Sequence, residues 1–445
     1  MKDEPVVILG AGLAGMAAAH RLGKRRRPYL LFEREGRPGG LVRSERVAGY
    51  TFDYTGHLLH MKRRETRDLV LKELGLEGRF LAVQRRSFIF SKGVYTRYPF
   101  QANTFGLPVD VVRECLEGFV QARLDEAARA ARPAGRSKGP AGEGNFESWI
   151  LRTFGPGIAR HFMLPYNAKL WGVPPREMTT EWMGRFVPQP GLSEVLRGAL
   201  QDRPEATGYN AHFLYPRSGG IEVLARGFAA KVEARLNTEA VEVDLKARQA
   251  RFSDGSSVRF RRLISSLPLK TLVSLIPACP ARVRRASARL RATGVLNVNF
   301  GVAGRNISDK HWIYVPEERF PFYRAGFYHN FSPAMAPRGC SSVYAEVSLG
   351  PESPRVDPAR AAEKVRRGLI EMGVLKPGDR IAARFTAHIP GAYVVYDPHR
   401  AAAVAEIRDY LRENGVLSTG RWGSWEYGSM EDAIWQGIEA ADQSA

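Results

Sequence analysis

The sequence predicts an α/β protein built from interleaved pieces, and three observations lead to this fold class. A glycine-rich hexamer at Gly10–Gly15 stands between an apolar run typical of a buried strand and a helical run. Short strand patterns return much later, near residues 241–266 and 415–420. The length of 445 residues leaves room for a second core between these pieces.

The first unit has the pattern strand, helix, strand. Val6–Leu9 and Tyr29–Phe32 are short, fully apolar runs, which are typical of strands covered on both faces. Leu13–Leu22 has a helical pattern with small residues on one side. We therefore expect a β-α-β unit over residues 6–33.

The hexamer Gly10-Ala11-Gly12-Leu13-Ala14-Gly15 matches the G-x-G-x-x-G pattern of Rossmann-type dinucleotide sites. Gly10 makes a tight turn, Gly12 lets the backbone approach a pyrophosphate, and Gly15 lets helix and strand touch. The amides that open the helix, at Leu13 and Ala14, attract phosphate. Glu33 ends the second strand, where it can accept hydrogen bonds from ribose hydroxyls and would repel the 2′-phosphate of NADP. A purely structural glycine turn is the alternative.

A second glycine pair follows the acidic residue, in the segment Arg37-Pro38-Gly39-Gly40-Leu41. Such a pair favours FAD over NAD, because the chain can pass close to the nucleotide and turn toward the isoalloxazine. Arg43 or Ser44 could reach phosphate or ribitol, and a plain surface turn is the alternative for both.

The later pieces supply more strands and a last helix. Val241–Val243, Gln249–Phe252 and Ser257–Phe260 are predicted as strands, with a hairpin turn at Asp254-Gly255, followed by further strands at Arg262–Ser266 and 415–420. Ser429 and Asp432 form a variant capping box that opens a helix to Ala441. The N-terminus of that helix could point at the pyrimidine end of a flavin. Trp425 and Tyr427 would lie beside the ring or serve as ordinary core aromatics.

Composition narrows the class of protein. The three cysteines, Cys115, Cys279 and Cys340, form no CxxC pair, which argues against a zinc site and fits a reducing, cytoplasmic setting. No apolar run is long enough for a membrane span, and no basic region precedes Val6–Ala19, so a signal peptide is disfavoured. The net charge of +20 is spread along the chain without a nucleic-acid motif, so we expect no nucleic-acid partner. It leaves open a solvated surface, an anionic substrate, or weak contact with an anionic membrane.

Five segments together resemble the superfamily of FAD-dependent amine oxidases, protoporphyrinogen oxidases and UDP-galactopyranose mutases. The resemblance spans nearly the whole chain, and three of the segments are most similar to the mutase branch. The five segments are the glycine hexamer with Glu33 and Gly39-Gly40, residues 52–60 (FDYTGHLLH), 98–105 (YPFQANTF), 166–172 (YNAKLWG), and 420–430.

The resemblance implies a glutathione-reductase-type FAD domain with an interleaved mixed α+β substrate domain. Residues 1–66, 214–266 and 396–445 would form the FAD domain, and 67–213 with 267–395 the substrate domain. Residues 128–144 have no apolar residue larger than Ala apart from proline rings, so a flexible loop is expected there.

The resemblance also assigns site residues. The FAD site would comprise Gly10, Gly12, Leu13, Ala14, Gly15, Glu33, Arg34, Gly39, Gly40, Leu41, Gly56, His57, Val241, Gly420, Arg421, Ser429 and Met430. The substrate site would comprise His60, Phe100, Asn103, Trp171, Arg185, Tyr209, Arg324 and Tyr427. His57, His60 and Arg421 are the catalytic candidates, although lone histidines are often structural. No metal site is expected, because no second ligand pair has suitable spacing.

Two departures from the mutase pattern concern the diphosphate. Gln189 stands where the mutases have a second arginine after Arg185, and Gly428 stands where they have a tyrosine. A buried diphosphate would therefore lack charge-assisted donors unless Arg217, Arg324 or Tyr209 replaced them. This makes UDP-galactopyranose itself a doubtful substrate.

Three functions remain as hypotheses. The first is a mutase-like enzyme that uses reduced FAD to rearrange a nucleotide-linked or phosphorylated sugar, with no net redox change. The second is an oxidase or dehydrogenase acting on an amine or a porphyrinogen-type substrate. Five aromatic residues would suit a large flat substrate of this kind, although they fit the face of a sheet equally well: Phe320, Phe322, Tyr323, Phe327 and Tyr328. The third is a non-enzymatic flavoprotein scaffold. An external electron donor is a candidate partner, and the sequence does not define the oligomeric state.

Overall fold

The structure is a computed structural model that describes residues 4–131, 144–202, 211–353 and 356–444. The strands are β1 (Val6–Leu9), β2 (Tyr29–Phe32), β3 (Ser44–Val47), β4 (Tyr50–Asp53), β5 (Phe80–Gln84), β6 (Ser87–Ser91), β7 (Val94–Arg97), β8 (His212–Pro216), β9 (Ala240–Asp244), β10 (Gln249–Phe252), β11 (Ser257–Arg259), β12 (Arg262–Ser265), β13 (Ala292–Val302), β14 (Trp312–Tyr314), β15 (Arg324–Gly326), β16 (Ser341–Leu349), β17 (Ile381–Val394) and β18 (Val416–Ser418). The α-helices are α1 (Leu13–Lys24), α2 (Arg64–Asp68), α3 (Val109–Ala130), α4 (Phe146–Ile158), α5 (Leu164–Trp171), α6 (Leu192–Leu200), α7 (Glu222–Ala229), α8 (Leu269–Ser274), α9 (Ala281–Arg289), α10 (Tyr328–Phe331), α11 (Pro358–Glu371), α12 (Arg400–Glu413), α13 (Gly420–Gly423) and α14 (Met430–Gln443).

A four-stranded parallel sheet unites the separated pieces of the chain. Its strand order is β18-β12-β1-β2, and every neighbouring pair is parallel. The strands of this sheet are nearly all apolar and mostly buried, as expected for a sheet covered on both faces. Because the carboxyl ends of parallel strands meet at one edge, the glycine turn, Glu33 and Gly420 lie at the same edge. The α/β fold class is confirmed.

The first and last helices of the chain pack directly against each other. A Cβ atom added at Gly437 of α14 would lie 2.1 Å from the carbonyl oxygen of Ala14 in α1. Only glycine permits this backbone approach. The contact fixes the start of α14 near the glycine turn, although more than 400 residues separate the two helices.

A seven-stranded sheet forms the second layer. Its strand order is β17-β13-β16-β15-β14-β6-β7, and β13 pairs antiparallel with both β16 and β17 along its length. One face packs on α11 in a core that includes Phe300, Val343 and Val365. The helical part of the chain consists of α3, α4, α5 and α6. Its core is continuous with that of α8, α9 and α12.

Two details of the predicted organisation differ in the structure. The boundary between residues 213 and 214 falls inside β8, which pairs with β5 as a two-stranded sheet. Helices α8 and α9, predicted within the substrate domain, share a core with β10, β12 and α12 through Leu272, Val283 and Ile407. The division into two domains therefore stays a prediction, with α8 and α9 packing on the nucleotide side.

Most element predictions are confirmed within a residue or two, and one is partly wrong. The predicted loop at 128–144 begins too early, because α3 continues through Ala130; residues 132–143 lie outside the described part. The chain there is rich in Ala and Arg, which are good helix formers, and the absence of larger apolar residues does not stop the helix. Within the described ranges, no helix is both long and apolar enough to cross a bilayer.

Candidate functional site

The glycine turn has the geometry that a nucleotide site needs. Gly10 has a φ of 93°, and a Cβ at Gly15 would lie 1.9 Å from the carbonyl oxygen of Gly10, so neither position accepts a side chain. A Cβ at Gly12, in contrast, would meet no atom within 4 Å. Gly10 and Gly15 are thus required by the fold, whereas Gly12 borders open space at the N-terminus of α1, where a pyrophosphate would lie.

The carboxylate of Glu33 braces this turn. Its two oxygens accept hydrogen bonds from the backbone N–H of Ala11 at 2.8 Å and of Glu35 at 3.1 Å. Each carboxylate oxygen keeps a further lone pair for a ribose hydroxyl. The side chain is buried, and both of its oxygens hold the backbone around the turn.

The other residues predicted near the adenosine end are more exposed. The Arg34 side chain is 65% exposed and pairs with Glu35, and Val241 lies on β9 with half of its surface exposed. The segment beside Glu33 instead comprises Arg235–Thr238, since Glu33 donates its N–H to the Arg235 carbonyl and Thr238 donates to that of Glu33. Sequence reasoning did not find this segment, because it is not a regular strand.

The second glycine pair folds back on the turn. The N–H of Gly39 donates to the carbonyl of Ala11 at 2.8 Å, and Gly40 lies against the Cα of Gly12. Leu41 follows as a partly buried residue. Ser44 does not face this space, because it donates at 2.6 Å to the buried carboxylate of Asp53.

The C-terminal piece completes the cradle from the other side. Gly420 has a φ of 77°, and a Cβ there would lie 2.7 Å from the Cβ of Ala14. Ser429 and Asp432 form a reciprocal capping box at the start of α14, and Met430, the first residue of this helix, is buried. The predicted capping box is therefore confirmed, and the N-terminus of α14 lies at the edge of the sheet that carries the glycine turn.

The second centre of the site lies at the GH segment that follows β4. A Cβ at Gly56 would lie 2.1 Å from the hydroxyl oxygen of Tyr344, and the N–H of Gly56 points to Oε1 of Glu346 at 3.4 Å. Glu346 is fully buried, and Arg324 grips it with two hydrogen bonds of 2.9 and 2.7 Å. The pair forms because Arg324 on β15 lies directly opposite Glu346 on β16.

His57 lies within reach of these charges. Burial lowers its pKa to about 4, outweighing the opposing effects of the Thr55 carbonyl and the Glu346 carboxylate. The imidazole is therefore neutral at pH 7, and it can accept or donate one hydrogen bond but carries no charge. His60 instead lies against the ring of Phe213, at 6.5 Å between centroids.

Arg421 joins the cofactor end to a wall of aromatic rings. Its guanidinium donates to the carbonyls of Gly428 at 2.6 Å and Ala392 at 2.7 Å. It also lies over the rings of Tyr393 and Tyr427, at 5.6 and 4.8 Å from their centroids. The charge is thus fixed between the loop before α14 and the end of β17, beside the two tyrosines.

The wall itself consists mainly of tyrosines. Tyr427 stacks on Tyr393 with centroids 6.0 Å apart, and Trp171 contacts both rings edge-on. The indole N–H of Trp171, a residue only 1% exposed, has no hydrogen-bond partner within the described ranges. A buried donor of this kind costs stability unless a ligand or water accepts from it, and the neighbouring Trp182 has a second such indole N–H. The remaining tyrosines nearby are Tyr98, Tyr166, Tyr314, Tyr323 and Tyr344.

Other predicted substrate residues have different surroundings. Phe100 is fully buried and stacks on Phe162, while the Asn103 side chain donates to the Pro99 carbonyl. Both therefore support the turn at Phe100–Ala102 from inside. The side chain of Arg185 and all of Tyr209 lie outside the described part of the structure. Arg217 has an exposed guanidinium that donates to the Gly78 carbonyl, so it is not the buried donor that a diphosphate would need.

The aromatic set expected for a flat substrate belongs mainly to cores. Phe320, Phe322 and Phe327 are fully buried in the core beneath α11, and Tyr328 stacks on Tyr344 in another core. Only Tyr323 contacts the wall, through Tyr393. Phe320, Phe322 and Phe327 therefore belong to the core and not to a pocket, and the first two pack against Gly368 of α11.

The chain belongs to the flavin-containing amine oxidoreductase family, whose model matches residues 13–443. It is therefore a flavoenzyme of the amine oxidase superfamily, as the sequence predicted. Among solved structures, reduced UDP-galactopyranose mutase is 29% identical, with 99% of this chain and 95% of that chain covered and a TM-score of 0.90. A putative protoporphyrinogen oxidase from Exiguobacterium sp. 255-15 shares the fold, with a TM-score of 0.73 at 16% identity over 100% and 99% of the two chains.

A curated relative extends the family likeness to oxidases. The putative flavin-containing monoamine oxidase AofH of Mycobacterium tuberculosis is 26% identical over 254 residues, which is 54% of this chain and 51% of the relative. The match thus spans about half the length of that relative.

Proposed function

We propose that this flavoenzyme binds FAD and, with the flavin reduced, rearranges a nucleotide-linked or phosphorylated sugar without net redox change. The main support is the likeness to reduced UDP-galactopyranose mutase, which extends over 99% of the chain at a TM-score of 0.90. The polar, tyrosine-rich wall beside a buried ion pair is a second support, since sugars need many hydrogen-bond partners.

The chain offers FAD a complete set of contacts in this proposal. Amides at the start of α1 bind the pyrophosphate above Gly12, and Glu33 binds the ribose of the adenosine half. The segment at Gly39-Gly40, Gly56 with His57, Gly420 with Arg421, and the start of α14 enclose the flavin half. Reduced flavin, when bound, would supply an electron-rich ring for the rearrangement, and these residues would bind and orient the cofactor and the sugar.

Fixed positive charge would position the anionic part of the substrate. Arg421 lies beside Tyr393 and Tyr427, and Arg324 lies over the ring of Tyr323, which contacts Tyr393. Both guanidiniums already donate to carbonyl or carboxylate oxygens, so each has only part of its five N–H donors left. Together with Gln189 and Gly428, this favours a substrate whose phosphate is gripped less tightly than the UDP of the mutases.

Neutral His57 fits a contact to the flavin rather than proton donation at neutral pH. His60 remains the proposed proton-transfer residue, and its place beside Phe213 leaves that role to be tested by substitution. We further propose a cytoplasmic location, since all three cysteines are free thiols.

An amine or porphyrinogen oxidase is the second candidate, favoured by the match to the monoamine oxidase AofH. The two candidates differ in electron flow. An oxidase substrate bleaches oxidised flavin without any added donor, whereas a mutase substrate leaves oxidised flavin yellow and reacts only after reduction.

An anaerobic screen tests the proposal. Purified holoprotein, oxidised or reduced with dithionite, is mixed with nucleotide sugars, sugar phosphates and amines, and is followed by flavin absorbance and by chromatography with mass detection. The expected result is a product of unchanged mass and altered retention, formed by the reduced enzyme only. Bleaching of the oxidised flavin by an amine, or product of altered mass, would refute it.

Trp171 provides a matched pair of variants for the same screen. Trp171→Phe keeps an aromatic ring but removes the unpartnered N–H, so KM should rise while flavin content stays constant. Trp435→Phe on α14, which Arg63 covers at 5.4 Å, changes an indole on another face and should leave KM unchanged.

A further inference from the structure

We propose that the arginine face of α9, formed by Arg282, Arg284, Arg285 and Arg289, binds an anionic phospholipid surface. The sequence around this helix is basic without compensation, since residues 255–308 contain ten Arg and Lys residues and neither Asp nor Glu. These 54 residues carry half of the net charge of +20. A local field of one sign attracts partners of the opposite charge, because no neighbouring acid in the segment cancels it.

Most of these cations reach solvent. Eight of the ten residues are exposed. The other two pair with acids from elsewhere in the chain, Arg291 with Glu177 and Arg305 with Asp379. The segment therefore presents its uncompensated charge on the outside of the molecule.

Helix α9 concentrates this charge on its outer side. Val283 and Ala286 point into the core of the chain. The exposed residues of the helix are arginines and alanines only: Ala281, Arg282, Arg284, Arg285, Ala288 and Arg289. Because Arg282, Arg285 and Arg289 recur at steps of three and four residues, they follow one line along the helix. The outer side of α9 thus offers guanidiniums without an acidic or a large apolar side chain of its own.

Three of the four guanidiniums have no acidic partner among the described residues. Only Arg282 forms an ion pair, with Glu406 of α12 at 3.5 Å. Arginine stays protonated at every physiological pH, so the charge of the other three is permanent. Arg284, Arg285 and Arg289 are therefore available to an external anion.

The basic end of α1 shows that clustered cations alone do not give such a face. There, Arg21 and Arg25 both pair with Asp442, and Lys24 pairs with Glu73. Partners within the chain neutralise much of that cluster. The face of α9 differs because most of its charge has no partner of this kind.

Lys270 fixes the end of α9 and adds a fifth cation. Its Nζ donates to the carbonyl of Leu290, just past the last turn of the helix, at 2.8 Å. A cation in this place satisfies a terminal carbonyl and interacts favourably with the helix dipole. The residue is exposed, so the contact also extends the positive surface beyond Arg289.

The composition of the face favours phospholipid headgroups over other anionic partners. Protein interfaces are centred on aromatic and large apolar residues, which the outer side of α9 lacks. No nucleic-acid recognition motif accompanies the charge. A bilayer needs only cations that face it, because each one contributes separately near an anionic surface. Since the apolar side of α9 is used in the core of its own chain, binding should be reversible and electrostatic, without insertion.

Co-sedimentation of the flavin-loaded protein with lipid vesicles tests the proposal. The wild type should pellet with vesicles of phosphatidylcholine and phosphatidylserine, but not with vesicles of phosphatidylcholine alone. Raising the salt concentration above the physiological value should release it, because screening shortens the range of the field. Arg284→Gln combined with Arg285→Gln and Arg289→Gln should weaken binding roughly a hundredfold, since each lost cation costs a factor of about five. Glutamine is a good helix former, so circular dichroism and flavin content should not change.

A matched control removes the same charge from α11. Arg360→Gln combined with Lys364→Gln and Arg367→Gln changes three other exposed cations and should leave vesicle binding as in the wild type. The proposal is overturned if the wild type does not bind phosphatidylserine vesicles at low salt, or if both triple variants lose binding equally, since net charge alone would then be responsible.

It is equally overturned if the α9 variant binds vesicles as tightly as the wild type. If that variant bound duplex DNA or polyglutamate more weakly while its vesicle binding was unchanged, the partner would be a nucleic acid or an acidic protein. None of these measurements depends on the substrate or on turnover.

Discussion

Gly12→Val should separate cofactor binding from folding, because an added side chain has free space at Gly12 but not at Gly10 or Gly15. Gly12 has an extended backbone with φ −75° and ψ 178°, which any residue can adopt. Its added Cβ would meet no atom within 4 Å. Valine therefore fits the empty fold, and we expect the free energy of unfolding of flavin-free protein to change by less than about 1 kcal/mol, mainly from a poorer helix N-cap.

The isopropyl group would, however, occupy the space that a pyrophosphate needs. We expect FAD affinity to fall at least about a hundredfold, which is about 2.7 kcal/mol or more. Gly12→Ala should give a smaller loss, since it adds one methyl group. Gly15→Ala should instead lose both flavin and stability, because its Cβ would lie 1.9 Å from the Gly10 carbonyl oxygen.

The assay combines the ratio of flavin to protein in purified material, titration of flavin-free protein with FAD, and urea denaturation. A Gly12→Val protein that is yellow and fully loaded would refute the placement of the pyrophosphate. A large loss of stability in the flavin-free variant would refute the claim that this space is empty in the folded chain.

Three further predictions follow from buried groups. Burial raises the pKa of Asp53 to about 6 from its ordinary 3.8, so the stability that its protonated form provides is present below about pH 4 and is lost as the pH rises through 6. In urea titrations, the free energy of unfolding of Asp53→Asn should therefore increase relative to that of the wild type by up to about 3 kcal/mol across that interval, and a difference that stays constant with pH would contradict this. Arg324→Met leaves the carboxylate of Glu346 buried without its partner, so the free energy of unfolding should fall by about 3–5 kcal/mol. Adding Glu346→Leu to the same chain should restore most of this loss, whereas a double variant whose loss is the sum of the two single losses would argue against the pair. Gly437→Ala pushes α14 off the backbone of α1, so thermal denaturation should show lower stability and gel filtration should show loss of flavin. If the variant retained its flavin, the start of α14 would not hold the cofactor.

Tyr393 shows why part of the tyrosine wall escaped sequence reasoning, although the family resemblance did name Tyr427 and Trp171. Tyr393 and Tyr427 come from β17 and from the loop before α14, and Trp171 comes from the end of α5. No local spacing connects them, and a tyrosine in a strand has the same pattern whether it faces a core or a pocket. The Arg324–Glu346 pair is of a kind that sequence reasoning can propose, because opposite charges often face each other on neighbouring antiparallel strands, as these two residues do.

The family resemblance selected residues whose side-chain contacts it could not predict. It drew attention to Phe100, Asn103 and Arg217, yet Phe100 and Asn103 stabilise a turn and Arg217 donates to a surface carbonyl. Conversely, the pair Asp53–Ser44 lies beside the predicted flavin segment but forms a buried network with Tyr215. A motif gives the position of a residue in the chain, whereas burial and partners decide what its side chain does.

The sequence alone determined the β-α-β unit, because the glycine spacing, the two apolar runs and Glu33 lie within 28 residues, where backbone sterics and helix capping act locally. It also determined the capping box of α14, for the same reason. Only the tertiary structure decided that α14 packs on α1, that the separated strands form one parallel sheet, and that Arg421 lies over Tyr393 and Tyr427 with its charge within range of His57. These arrangements depend on contacts between residues hundreds of positions apart, which hydrophobic burial selects and which no local pattern encodes.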